Sequence, residues 1–279
     1  MSFLVEPLNF EFMRNALAIA ILLGILCPVV GTYLVVEQMS LMGNVISHAV
    51  LPGLSIAFFL GFNLSIGAFF AGTLSALLVA WIRSQSRVNV DAAMALVLSS
   101  FLAVGVMLVK LLRTNSIDLN GILFGEILGV TSTHVWQTLI ITFLVLSLVK
   151  VFYRELLFYT FDPLGAKANG YPTNVIYFGF IAAVTLTIIA SMQTVGVLLV
   201  MSLLVGPAIT AYLLVKELHQ MMGLGAILGI IASVSGMYMS YYLDVPSGPA
   251  IVLVIFGFFF LAFFFSPSQG ILLRHSKKR

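Results

Sequence analysis

Two side chains able to hold a metal ion stand four residues apart near the start of an apolar run. They are Asn44 and His48, in Glu37-Gln-Met-Ser-Leu-Met-Gly-Asn44-Val-Ile-Ser47-His48-Ala-Val-Leu-Pro52-Gly53. On a helix, residues four apart share a face, one turn above the other. An amide oxygen and an imidazole nitrogen both suit a divalent ion of intermediate softness. Met39 and Met42 are nearby and read as packing residues. Pro52-Gly53 is expected to interrupt the helix just beyond, and broken helices line many transport sites. A plainer role is open to the same pair: hydrogen bonding between helices.

The remaining candidates for chemistry are weaker. His134 falls near the end of an apolar run, with Trp136 as an interfacial anchor. His219 sits in Lys-Glu-Leu-His and reads as solvated, and His275 belongs to a basic tail, 274–279. The single cysteine, Cys27, has no partner in the chain and reads as a small buried hydrophobe. No G-x-x-x-x-G-K-[ST] phosphate loop, no H-E-x-x-H zinc-protease motif and no G-x-S-x-G nucleophile elbow occurs. The sequence therefore points away from an enzyme, and ATP binding of the phosphate-loop kind is not expected here.

The elements that must carry these residues follow from composition. Of 279 residues, 61% are hydrophobic and 8% charged. Soluble domains carry about 25% charged residues, so lipid must be the main solvent. The net charge of +3 is small and gives no reason to expect nucleic acid as a partner. A span needs roughly 20 apolar residues. Candidates are 15–36, two within 38–82 with a turn near Gly61-Phe62-Asn63, 92–109, 131–149, two within 173–215 divided near Gln193, 222–243 and 247–265. The reading is an all-α polytopic membrane protein with nine spans, or eight if one run is re-entrant. Residues 1–13 carry Glu6 and Glu11 and no basic side chain, unlike a signal peptide.

Lys and Arg orient the chain. Arg83 and Arg87, then Lys150, Arg154 and Lys167, then Lys216, then the tail follow the odd-numbered spans. That side, and with it the C-terminus, is expected to be cytoplasmic. Lys110 and Arg113 run against the rule.

Two segments do not span. Residues 118–130, with Glu126 and three glycines, read either as a re-entrant, gate-like helix or as an extension of the following span. The second is Phe161-Asp-Pro-Leu-Gly-Ala-Lys-Ala-Asn-Gly-Tyr-Pro172. Asp162 is a good N-cap, Pro163 suits the first helical position, and Gly170 with Pro172 supplies the stop. A short capped helix among membrane spans reads as a docking element, with a plain connecting loop as the alternative.

Three patches, in order, resemble one family. Gln38 with Met39–Gly53 resembles the signature of the zinc/manganese/iron ABC permeases, the ABC-3 family. Phe161-Asp162-Pro163 with Ala166-Lys167-Ala168 and Gly170 resembles that family's ATPase-docking loop. Val195-Gly196-Val-Leu-Leu-Val with Leu-Leu-Val-Gly-Pro207-Ala208 resembles a later patch. The likeness covers nearly the whole chain and is greatest to manganese permeases.

The resemblance implies a single permease domain, 1–279, in the cell (plasma or inner) membrane. Its fold would be related to the cobalamin and siderophore importers. The partners implied are a second permease copy, a cytoplasmic ABC ATPase docking near 162–171 through Asp162, Pro163, Lys167 and Gly170, and an extracytoplasmic metal-binding protein. Manganese, zinc or iron would be cargo, with no permanently bound cofactor. The family's ligands are an Asp and a His four apart. Here His48 keeps its place and Asn44 replaces the Asp, retaining an oxygen and losing a charge. Two alternatives are an ABC permease for a metal chelate, such as a siderophore or cobalamin, and a gradient-driven secondary transporter or channel. Few carboxylates lie mid-span, which disfavours the latter.

Overall fold

The computed structural model describes residues 6–112, 125 and 127–266. Every regular element among them is helical. The helices are α1 (Glu11–Val36), α2 (Met42–Leu60), α3 (Leu64–Gln85), α4 (Val90–Leu111), α5 (Ser132–Val151), α6 (Tyr153–Phe161), α7 (Pro163–Ala168), α8 (Thr173–Val195), α9 (Val197–Leu214), α10 (Leu218–Leu243) and α11 (Ser247–Phe265). All but α6 and α7 are long and apolar enough to cross a membrane, which makes nine among the described residues. The chain is an all-α, multi-pass membrane protein.

Several boundaries fall where composition places them. The α2–α3 turn is at Gly61-Phe62-Asn63: Gly61 takes φ +72° to end α2, and the Asn63 side chain accepts from the Ser65 N–H to start α3. The last helix matches its apolar run, 247–265. The division within 173–215 lies at Gly196, φ +80°, rather than at Gln193. A polar residue does not break a helix; a left-handed residue does. Pro52-Gly53 does not interrupt α2, which runs through to Leu60. Proline removes one rung of the ladder, and packed neighbours hold the helix on either side of it.

Residues 113–124, 126 and the basic tail 274–279 lie outside the described residues, and with them most of the 118–130 segment. Its remaining part forms a 3-10 turn at Ile127–Gly129, separate from the start of α5.

The chain divides into two compact units. The first is drawn from Met1–Val36, Gly121–Lys150 and Ala190–Arg279, and the second from Glu37–Asn120 and Val151–Ile189. In the first, α1 is central: 72% of its apolar window is buried, against 22% for α5 and for α11. It packs on α9 and α10 through glycines. A Cβ at Gly31 would lie 1.7 Å from the Leu204 carbonyl oxygen, and one at Gly229 would lie 2.1 Å from that of Gly24. Lipid tails are as apolar as leucine, so helices associate where small residues let backbones meet. Cys27 is buried in this unit, its Sγ 3.8 Å from the Ser191 hydroxyl.

The second unit is built on the α2–α3 hairpin. A Cβ at Gly53 would meet the Gly67 carbonyl oxygen at 2.1 Å and the Ala71 Cβ at 2.7 Å; one at Gly67 would meet Gly53 oxygen at 2.4 Å and Ala57 Cβ at 2.6 Å. The pairing of 53 with 71 and of 57 with 67 makes the two helices antiparallel. The start of α2 and the end of α3 therefore share one end of the unit. α4 closes on the same helix, with Gly105 against Leu51 and Pro52.

Candidate functional site

The first half of α2 is almost wholly enclosed. Met42, Gly43, Val45, Ile46, Ser47, Ala49 and Val50 are buried. Asn44, His48 and Leu51 are half-buried, and Leu41 just ahead of the helix is exposed. At about 100° per residue these four lie within a stripe roughly 80° wide. Asn44 and His48 are therefore the polar groups on the one partly open face of an apolar helix. Neither side chain has a hydrogen-bond partner among the described residues. Interhelical hydrogen bonding, the plainer role, is not seen among the described residues.

Pro52 adds a third donor that spacing alone did not reveal. In a regular helix the N–H of residue 52 would pair with the carbonyl of residue 48. Proline has no N–H, so the His48 carbonyl oxygen is released from the ladder. One residue, His48, thus offers both a ring nitrogen and a main-chain oxygen. Among the described residues no three His, Cys, Asp or Glu side chains come together. A cation held here by one chain would rely on neutral oxygens and one imidazole.

Of the other histidines, His134 and His219 take structural places. The Thr131 N–H lies 3.3 Å from His134 Nδ1 at the start of α5, and Trp136 is exposed. His219 is exposed and lies 3.3 Å from the Glu217 carboxylate.

The capped segment forms the short helix α7. The Asp162 carboxylate accepts from the Gly165 N–H at 2.8 Å, and Pro163 occupies the first turn. Gly165 is required by that cap, since a Cβ there would lie 2.1 Å from the Asp162 carboxylate. Gly170 ends the segment at φ +81° in open space. Asp162, Pro163, Lys167 and Gly170 are all exposed, and Leu164 is 82% exposed while Ala166 anchors the helix inward.

Sequence reasoning missed α6, which leads directly into α7. Asp162 ends the one helix and caps the other. It also missed Glu37, whose carboxylate accepts from the Thr160 hydroxyl of α6 at 3.3 Å. A signal was present: Glu37 and Arg83 are the charges that bracket the uncharged run 38–82. A helical hairpin returns both brackets to the same end.

Residues 9–266 match the ABC 3 transport family. The chain is 42% identical over 273 residues to the manganese transport system membrane protein MntC of Halalkalibacterium halodurans, covering 98% of this chain and 94% of that one. It is 39% identical over 269 residues to the manganese import system permease protein ScaB of Streptococcus gordonii, 96% of each chain. Its structure is similar to that of PsaBC from Streptococcus pneumoniae in complex with Fab, with a TM-score of 0.86 at 38% identity over 99% of this chain and 98% of that one. It also shares its fold, at TM-score 0.66 and 16% identity, with an inward-facing structure described as a metal-chelate type ABC transporter, covering 92% of this chain and 87% of that one.

Proposed function

The chain belongs to the ABC 3 transport family, and from that membership we propose that it is the membrane-spanning permease subunit of an ATP-driven importer of divalent transition-metal ions, with manganese as cargo. The observation that carries the reading is the half-buried pair Asn44 and His48, one turn apart on the only partly open stripe in the first half of α2. Relatives named for manganese transport and import support the choice of cargo.

The donor set suits passage rather than storage. Oxygen and imidazole ligands fit manganese and its neighbours. A carboxylate at position 44 would attract the ion strongly in a low dielectric, whereas the Asn44 amide offers an oxygen without that charge. A site along a pathway must bind well enough to admit an ion and weakly enough to let it leave. Asn44, His48 and the released His48 carbonyl form a half-site. A second copy of the chain completes the set in a homodimeric permease.

Without a phosphate loop of its own, the subunit takes its energy from a cytoplasmic ABC ATPase. That partner seats on α7 through Asp162, Pro163, Lys167 and Gly170, with Leu164 at the contact. An extracytoplasmic metal-binding protein delivers the ion. The C-terminus faces the cytoplasm, and so does the α7 end of the second unit, in keeping with Arg83 and Lys167. The whole chain, 1–279, acts as one permease domain in the cell membrane.

The test is uptake of radioactive manganese into proteoliposomes holding this chain with its ATPase. Uptake that requires ATP and persists when siderophore is added supports the reading. Uptake driven by an ion gradient without ATP refutes it, and so does substantial ATP turnover by the purified chain alone.

A further inference from the structure

The five-residue turn between α1 and α2 carries more side-chain anchoring than a connector needs. It begins at Glu37, and Gln38 follows at φ +59°, a left-handed conformation uncommon outside glycine. Met39 is fully buried. Arg83, from the last turn of α3, reaches the Met39 sulfur at 3.9 Å. Thr160, from the last turn of α6, donates its hydroxyl to Glu37 Oε1 at 3.3 Å. The turn is thus held from two directions, by the helix antiparallel to α2 and by the helix that runs into the docking segment.

These contacts form one continuous mechanical path inside the second unit. α7 is joined to α6 by Asp162 alone, which ends one and caps the other, so no slack separates them. Thr160 lies two residues before Asp162. Glu37 lies seven residues before Asn44 and eleven before His48, with only the anchored turn between. A displacement of α7 would reach Thr160 through Asp162, Glu37 through Thr160, and the start of α2 through Glu37. Coupling of this kind needs an element with two discrete arrangements that both ends can bias.

We propose that the Glu37–Thr160 hydrogen bond is the joint through which movement of the docking helix reaches Asn44 and His48, and that Glu37 is a positioning residue for metal transport. The proposal rests on the permease reading given above. The groups facing Glu37 are the Thr160 hydroxyl and Tyr159 phenol of α6, the Arg83 guanidinium of α3 and the Tyr177 phenol of α8. Burial pushes the Glu37 carboxyl up from its ordinary 4.5 to about 7, against the pull of Thr160 and Arg83. The protonated joint is therefore the favoured one. Between about pH 4.5 and 7 a Glu37 that meets water ionises while the buried one holds its proton, so the arrangement loses ground over that window and the loss is complete by about 7.

The experiment measures manganese moved per ATP hydrolysed by the assembled permease–ATPase complex in proteoliposomes, for the parent and four variants. Thr160→Val keeps the side-chain shape without the hydroxyl, and Glu37→Ala removes the acceptor. Each should lower the ratio roughly tenfold, the scale of a lost hydrogen bond to an ionisable group. Thr160→Ser keeps the donor and should hold the ratio near the parent's. Glu37→Gln keeps an acceptor that does not titrate; its ratio should stay level between about pH 5 and 7 while the parent's falls. Thr160→Val and Glu37→Ala with unaltered ratios overturn the joint, and so does an equal loss in all four variants, which marks a structural cap. A parent complex that moves no manganese at any pH refutes the permease reading instead.

Discussion

The crossing of α2 and α3 fixes where Asn44 and His48 stand, and a single methyl group tests it. Gly53→Ala would place a Cβ 2.1 Å from the Gly67 carbonyl oxygen, whereas ordinary contact begins at 3.4 Å. The neighbour is backbone, so no rotamer can relieve the clash. The two helices must part by about 1 Å, and a gap of that size forfeits roughly a quarter to a half of each dispersion contact along the seam. Overpacking costs about 1–3 kcal/mol, and a rigid backbone neighbour puts this case at the upper end. Gly179→Ala in α8 is the control, since nothing lies within 4 Å of its Cβ, and there alanine should gain up to about 1 kcal/mol from helix propensity. Thermal denaturation of the detergent-solubilised protein, followed by size-exclusion of the surviving monodisperse fraction, gives both midpoints. The expected order is Gly179→Ala at or above the parent and Gly53→Ala several degrees below it. Equal midpoints for the two variants would refute the close crossing and the placement of α2 that depends on it.

Further outcomes concern transport and pH. At matched membrane levels, His48→Ala and Asn44→Leu should each reduce manganese uptake by about tenfold or more, the scale of a lost charge-assisted contact, whereas Asn44→Asp should tighten ion binding and slow release; parental uptake in the first two would return both residues to helix packing. Pro52→Ala restores an N–H to the His48 carbonyl, so uptake should fall while thermal stability holds or rises; unchanged uptake removes that oxygen from the ligand set. Gly170→Val forces a β-branched residue to φ +81°, at a cost of about 1–2 kcal/mol, and should lower manganese moved per ATP without loss of protein from the membrane. The thermal midpoint of the parent should fall relative to Glu37→Gln as pH rises to about 7, because a raised carboxyl contributes stability at low pH and loses it on ionisation; parallel curves would count against the buried setting of Glu37.

Much of the helical framework was legible because a run of apolar residues and its length are both local properties. The 61–63 turn and the 247–265 span are cases in point, as is α7, where cap, proline and glycine occupy fixed offsets. α6 was hidden by its own charges: Arg154 follows Lys150 and was weighed only for orientation, yet it sits with Glu155 on a helix of nine residues. Pro52 misled because proline was weighed as a breaker, when the neighbouring helices hold α2 on both sides of it. The break at Gly196 was displaced to Gln193 because polarity is visible in a sequence and a positive φ is not. Glu37 was missed because its partner Thr160 is 123 residues away, and no spacing rule reaches that far. The interleaving of two units along one chain was equally out of reach, since lipid and a partner helix demand the same apolar side chains.

The central place of α1 has a consequence for how the protein is made. The helix that the first unit encloses most fully leaves the ribosome well before its partners α9 and α10. At roughly 5–20 residues per second, about 10 to 40 seconds pass before Leu204 and Gly229 exist to meet Gly31 and Gly24. During that interval the glycine-lined seam of α1 is an unoccupied interface in the bilayer, open to any neighbouring helix with small residues of its own. Biogenesis of this protein should therefore depend on whatever shields that seam, and chains arrested before α9 should be short-lived even though α1 inserts normally.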